Sequence, residues 1–243
     1  MKEHLKRLLH SPALLSSAVI ILLLLFFFGY SDIRFHERYH DGQIKVACVG
    51  DSITYGYGIK NQPVKSYPDM LDDMLGDNYN TRNYGNIRVT VQPDGDQPYI
   101  KTYTYSDAVE FEADILIFML GSNDAKTVNW QNEDKFREDY LSLLSTYLDA
   151  EKKPKVYLCT PATAYFSGEG ESESSIYDIQ PEKVEIIADC VRKIAAEEGY
   201  ELIDINAATK NHRELFSYDG VHPKKDGARL IAEEVYSALI ETM

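Results

Sequence analysis

Asp114-Ile115-Leu116-Ile117-Phe118-Met119-Leu120 is a nearly continuous apolar run that stops at Gly121-Ser122-Asn123-Asp124. A strand with one face in water alternates apolar and polar residues. One covered by helices on both faces does not, and reads as an unbroken apolar segment. The run therefore predicts a central strand of a parallel sheet.

Working outward, Ile44 to Val49 is a short β-rich run ended by Gly50, and Asn80 to Tyr84 reads as a second, poorer strand. Lys155 to Cys159 and Glu201 to Ile205 supply two more. Helical segments separate them. Ser66 to Leu75 opens with Ser66 as N-cap and places Asp69 near the positive end of the helix dipole. Asp134 to Ala150 gathers Phe136, Tyr140, Leu143, Leu144 and Tyr147 on one face. Pro181 starts a helix reaching Glu198, and Lys224 to Ile240 forms the last. Alternating strands and helices imply right-handed crossovers and a doubly wound α/β sheet. Ser167 to Ser175 is low in complexity. Residues 167–178 invite the question of a lid, and a solvated loop is the preferred reading.

The chain has 243 residues, 44% hydrophobic and 26% charged, with a formal net charge of −14. That length suits one α/β domain, or at most two small ones, with a proper core, and the composition excludes wholesale disorder. The acidic balance argues against a nucleic-acid surface and disfavours a highly anionic polymer as substrate; otherwise it serves solubility. Cys48, Cys159 and Cys190 make no disulfide framework and read as small buried hydrophobes. His36, His40 and His212 lack the paired spacing of metal ligands.

No formal charge occurs between Arg7 and Asp32, and the centre of that stretch reads Ala18-Val-Ile-Ile-Leu-Leu-Leu-Leu-Phe-Phe-Phe28. About 20 such residues cross a hydrocarbon core as a helix. Lys2, Lys6 and Arg7 precede the run, which keeps the amino terminus cytoplasmic and places the remainder outside. Residues 1–31 are thus expected to form a cytoplasmic stub and a single transmembrane signal anchor. A signal peptide cleaved near Gly29-Tyr30-Ser31 is the alternative, and a core helix is disfavoured because no polar face exists. Residues 32–43 form a connector, and 44–243 the exported domain.

In open α/β sheets ligands bind beyond the carboxyl ends of the strands. Four polar segments fall there: Gly50-Asp51-Ser52-Ile53, Asn83-Tyr84-Gly85, Gly121-Ser122-Asn123-Asp124 and Asp219-Gly220-Val221-His222. Each alone is ordinary turn or cap chemistry. Together they hold the parts of acyl transfer. Ser52 supplies a hydroxyl nucleophile, His222 a base near neutral pH, and Asp219 the group that orients and stabilises the imidazole. The backbone N–H groups of Ser52 and Gly85 and the Asn123 amide are candidate donors to an oxyanion.

These four segments, in this order, resemble the GDSL/SGNH hydrolase family, with Ile53 in place of the usual Leu. The resemblance spans roughly Ile44 to Ile240. It implies a three-layer α/β/α sandwich around a five-stranded parallel sheet, flavodoxin-like in outline. It also implies Ser52, Asp219 and His222 as triad, Ser52, Gly85 and Asn123 as oxyanion hole, and neither metal nor organic cofactor. No Gly-x-Ser-x-Gly elbow surrounds Ser52, and neither a dinucleotide fingerprint nor a phosphate loop is present.

Family and export together make a short ester on extracellular carbohydrate the expected substrate, acetyl first. A lysophospholipase or thioesterase, an O-acyltransferase, and a membrane-tethered glycan-binding module are the alternatives. Tyr55, Trp130 and Tyr218 are candidate aromatic substrate contacts. For most of the 18 tyrosines, packing with the hydroxyl reaching water is preferred.

Overall fold

The computed structural model describes residues 40–60, 65–149, 152–166 and 177–242. The expected membrane span in residues 1–31, most of the 32–43 connector and residues 167–176 of the expected loop lie outside them. Among the described residues no helix is long and apolar enough to cross a membrane.

Five strands form one sheet: β1 (Ile44–Gly50), β2 (Tyr79–Gly85), β3 (Ile115–Met119), β4 (Lys155–Cys159) and β5 (Glu201–Ile203). Their order is β2-β1-β3-β4-β5, and every neighbouring pair is parallel. Seven α-helices accompany them among the described residues: α1 (Ser52–Tyr55), α2 (Tyr67–Leu75), α3 (Tyr103–Glu110), α4 (Glu133–Leu148), α5 (Pro181–Glu198), α6 (Ile205–Thr209) and α7 (Lys225–Thr242). The chain order crosses back over β1, so the sheet is doubly wound, as the alternation predicts.

All of β3 is buried, and successive residues serve opposite layers. Leu116 and Phe118 join Ala47, Val49 and Leu158 against the inner faces of α4 and α5. Ile115 and Ile117 join Val46, Cys48, Tyr157 and Cys159 beneath α2 and α7. The expected apolar face of α4, Phe136, Tyr140, Leu143, Leu144 and Tyr147, is buried throughout. Each large apolar side chain so covered stabilises the fold by about 1.5–3 kcal/mol. All three cysteines are buried and unpaired, and burial pushes the Cys48 and Cys159 thiols up.

Register then aligns the functional rim. Gly50 pairs with Gly85 on one side and with Met119 on the other, so β1, β2 and β3 end at one level. Ser52 and Gly121 therefore leave the sheet at its carboxyl edge together.

Three local expectations shift. Ser66 caps α2 by position, yet its Oγ donates to the Asp69 carboxylate and accepts from no N–H of that helix. The strand expected over Glu201 to Ile205 stops at Ile203, because the Asp204 carboxylate accepts from Ala207 N–H at 3.1 Å and starts α6. Helix α3 is unanticipated. Only Ala108 of its residues is buried, so it carries no helical apolar repeat, and Thr102 caps it by accepting from Tyr105 N–H at 3.2 Å.

Candidate active site

The site begins with the turn out of β1. Asp51 is the N-cap of α1, and its carboxylate accepts from Ile53 N–H at 2.9 Å, which fixes Ser52 as the first helical residue. The helix ends at once on Gly56 in the left-handed region, and Tyr57 N–H returns to Ser52 C=O at 2.9 Å. This packing is tight enough to specify two glycines. A Cβ on Gly50 would lie 1.9 Å from Thr54 Oγ1, and one on Gly85 would lie 2.2 Å from Tyr55 N.

Ser52 Oγ donates to His222 Nε2 at 2.9 Å, and His222 Nδ1 donates to Asp219 Oδ2 at 2.8 Å. The direction follows from the carboxylate. Burial raises the Asp219 pKa, but hydrogen bonds from the His222 ring and from the His222 and Val221 N–H groups outweigh it. The carboxyl is held well below its usual range, so it can only accept. His222 Nδ1 must then carry the proton, and Nε2 of the neutral ring presents its lone pair to the serine. Asp219 Oδ1 meanwhile accepts from Val221 N–H at 2.8 Å and His222 N–H at 2.9 Å, which locks the carboxylate plane.

A cavity of about 460 Å³ opens over this relay. Ser52, Asn123 and His222 line it, joined by Tyr57, Tyr177, Ile87 and Ile179 and by the cations Arg88 and Lys126. Tyr57 packs on the His222 ring with centroids 4.7 Å apart, and Tyr177 meets the same ring edge-on at 5.3 Å.

Two loops are stitched together along one side. Asn123 Nδ2 donates to Val89 C=O at 3.0 Å. The Asp124 carboxylate accepts from Val91 N–H at 3.1 Å and Gln92 N–H at 3.3 Å. Asn129 Nδ2 donates to Asp96 at 2.9 Å, and Lys126 Nζ donates to the other Asp96 oxygen at 3.1 Å. Burial raises the Asp96 carboxyl, but the bonds from Asn129 and Lys126 and the charges of Lys126 and Arg88 hold it below its usual range. Arg88 sits on this loop at φ 66°, a left-handed conformation that costs a residue with a side chain about 1–2 kcal/mol.

Asp124 makes a pH-dependent contribution. Burial pushes its carboxyl up to about 7 against the hydrogen bonds it accepts, and nearby Asp51 adds to the rise. Between the ordinary carboxylate value near 4 and about 7, the folded chain keeps a proton that the unfolded chain has released, so stability falls as pH rises. Asp124→Asn is expected to flatten that decline while keeping an acceptor for the loop. Urea midpoints measured at both ends of the window check it, and equal slopes in the two proteins would overturn it. A residual slope remains from Asp51, which burial also raises.

The expected residues divide. Ser52, Asp219, His222 and Asn123 converge. Gly85 does not join them: its N–H is donated to Asn83 Oδ1 at 2.9 Å, and it lines a separate cavity. The glycine is required there by the close approach of α1. Asn83 holds the same turn from below, donating to Thr54 C=O at 2.9 Å. Tyr55 also lines the separate cavity, Trp130 packs against the core, and Tyr218 is 73% exposed away from the cavity lining. Tyr57 takes the aromatic place instead, because Gly56 turns the chain back over Ser52. The Tyr-Gly-Tyr-Gly sequence at 55–58 carried that signal as a helix stop.

Comparison with known proteins agrees with this geometry. The profile of the GDSL-like Lipase/Acylhydrolase family matches residues 48–230. An acetylxylan esterase of Xylanibacter ruminicola is 32% identical over 213 residues; the match takes in 81% of this chain and only 43% of that protein. Among solved structures, Est24, a carbohydrate acetylesterase from Sinorhizobium meliloti, superposes with a TM-score of 0.68 at 18% identity, over 83% of this chain and 100% of that one. A putative arylesterase from Agrobacterium tumefaciens gives 0.68 at 21% identity over 83% and 100%. The aryl esterase of M. smegmatis gives 0.67 at 17% identity over 82% and 100%. These likenesses concern the fold. With the profile spanning most of the sequence and all four of its motif segments at the rim of the sheet, the chain belongs to the GDSL-like lipase/acylhydrolase family.

Proposed function

We propose that this chain is a serine esterase that removes short acyl groups, acetyl first, from extracellular carbohydrate. The observation that carries the reading is the Ser52–His222–Asp219 relay, at 2.9 and 2.8 Å, opening into a cavity of about 460 Å³. As the Ser52 oxygen attacks the ester carbonyl carbon, its proton passes to His222 Nε2, and Asp219 stabilises the imidazolium. The carbonyl oxygen becomes an oxyanion. Ser52 N–H, the Asn123 amide and the N–H of Arg88, which donates to no other group among the described residues, are the donors in reach of this rim. Collapse breaks the ester C–O bond, and Nε2 returns its proton to the departing sugar oxygen. Water then repeats the sequence on the acyl-serine, releasing the carboxylic acid and restoring the Ser52 hydroxyl.

The acetyl preference draws on the acetylxylan esterase relative and on the carbohydrate acetylesterase neighbour. The cavity's size agrees with it, being toward the small end of ligand sites. Location rests on the charge-free stretch in residues 1–31, read as an anchor that leaves the esterase on the outer side of the membrane. One assay tests both parts. Activity toward acetyl, butyryl and octanoyl esters is expected in the washed membrane fraction and is expected to fall with chain length. Faster turnover of the octanoyl ester would sink the acetyl assignment, and activity only in the culture medium would sink the anchor.

A further inference from the structure

The charges around the cavity run against those of the protein. The chain carries −14 overall, yet among the described residues the two charged ones lining the cavity, Arg88 and Lys126, are cationic. They are not equivalent. Lys126 is almost fully buried and tied to Asp96 at 3.1 Å, so its charge is matched and its ammonium braces two loops. Arg88 lies close enough to Asp96 for its charge to act on that carboxylate, but Lys126 already holds the ion pair and Arg88 makes no side-chain hydrogen bond to a described residue. Two cations thus share one anion, which leaves one surplus positive charge here. Its backbone is held in the left-handed region, where an arginine is an uncommon occupant. The loop that presents it is pinned on its carboxyl side by Asn123 and Asp124 through Val89, Val91 and Gln92.

We infer that the Arg88 guanidinium binds a carboxylate on the substrate, so that the preferred ester sits on or beside an acidic sugar. The inference rests on the esterase reading above and narrows its substrate class. A planar guanidinium matches a carboxylate through two parallel N–H···O bonds, and its charge persists at every working pH. One unmatched cation suits a monoanion. A phosphate dianion would leave charge uncompensated, since Lys126 is already paired. The acidic exterior sets the complementary limit. Within a screening length of about 8 Å of the surface the net negative charge repels a polyanion laid along it, so the fitting substrate is a largely neutral glycan with isolated carboxylates.

Three matched acetyl esters decide it: a neutral oligosaccharide, the same oligosaccharide carrying one uronic acid beside the acetylated unit, and one carrying a phosphate there. Wild-type protein is expected to favour the uronate over the neutral ester by about fivefold in kcat/KM, chiefly through KM, as an exposed charge-assisted contact allows. Arg88→Gln keeps the backbone N–H and is expected to bring the ratio near one. Arg88→Lys is expected to keep part of the preference, and added salt to weaken it in wild type. A ratio unchanged between wild type and Arg88→Gln, or a preference for the phosphate ester, overturns the inference. Hydrolysis of neutral and acidic esters at equal rates removes the carboxylate assignment and leaves the esterase reading standing. Hydrolysis of none of the three overturns both.

Discussion

Replacing Ser52 by Ala is expected to lower kcat for an acetyl ester by about a millionfold and to abolish covalent labelling by a fluorophosphonate. The size of the effect follows from what the substitution leaves behind. Without Oγ no acyl-enzyme forms, and His222 can act only on a water molecule that nothing positions as Ser52 is positioned. Oxyanion donors and substrate binding persist, which leaves a residual advantage of about 10³–10⁴ over the uncatalysed reaction. The fold itself is expected to survive. The Asp51 cap reaches Ile53 N–H, and the return of the chain uses Ser52 C=O, so neither depends on the lost hydroxyl. The label separates an enzyme from a glycan-binding module that merely retains the fold. Folded wild-type protein that takes up no label favours the module, and Ser52→Ala retaining more than about a hundredth of the rate would remove Ser52 as nucleophile.

The sheet was legible where its strands are buried on both faces. Burial of that kind leaves unbroken apolar runs, and β3 and β4 show them with ends within a residue of those read from the sequence. Helix α5 was equally plain, with Pro181 at its start and the amphipathic repeat running to Glu198. Where the sequence misleads, a polar side chain has intervened locally. Asp204 turns the end of β5 into a helix cap, and Thr102 caps α3, whose residues leave too little buried surface to print a period.

The site was legible in part, and the division is physical. Asp219 and His222 are three residues apart, so their contact is local and their spacing announces it. Ser52 and Asn123 follow strands whose register could be anticipated, and the sheet brings them together. Arg88, Asp96, Lys126 and Asn129 meet only because a loop from β2 folds across the loop after β3, joined by hydrogen bonds between residues about 30 positions apart. No periodicity encodes such a pairing. Gly85 illustrates the reverse error. Its place after β2 suggested a donor, whereas the glycine answers to the backbone of α1 lying on it.

Asp219→Asn is expected to cost about 10⁴ in kcat while the protein stays folded, and the reason lies in how the amide must sit. In the wild type, Oδ1 accepts from two backbone N–H groups, at 2.8 and 2.9 Å, and Oδ2 faces His222 Nδ1 at 2.8 Å. An asparagine has one oxygen and one NH₂. The two backbone donors claim the oxygen, because turning the amide over would set N–H groups against N–H groups. The NH₂ then faces Nδ1 and donates to it, so Nδ1 must give up its proton. The neutral ring carries its proton on Nε2, pointing at Ser52, where a base is needed. The turn is preserved and the tautomer is wrong. KM is expected to change less than about threefold, since neither Asn123 nor the cavity walls move. Stability should respond separately. The depressed Asp219 carboxyl stabilises the fold above the ordinary carboxylate value, and that contribution is lost as pH falls toward its folded-state value. The variant therefore lacks this part of the acid sensitivity and is expected to lose less stability than wild type on acidification. A fall in kcat accompanied by unfolding at neutral pH would make Asp219 a merely structural residue. A retained kcat would show that His222 is oriented by something other than its carboxylate.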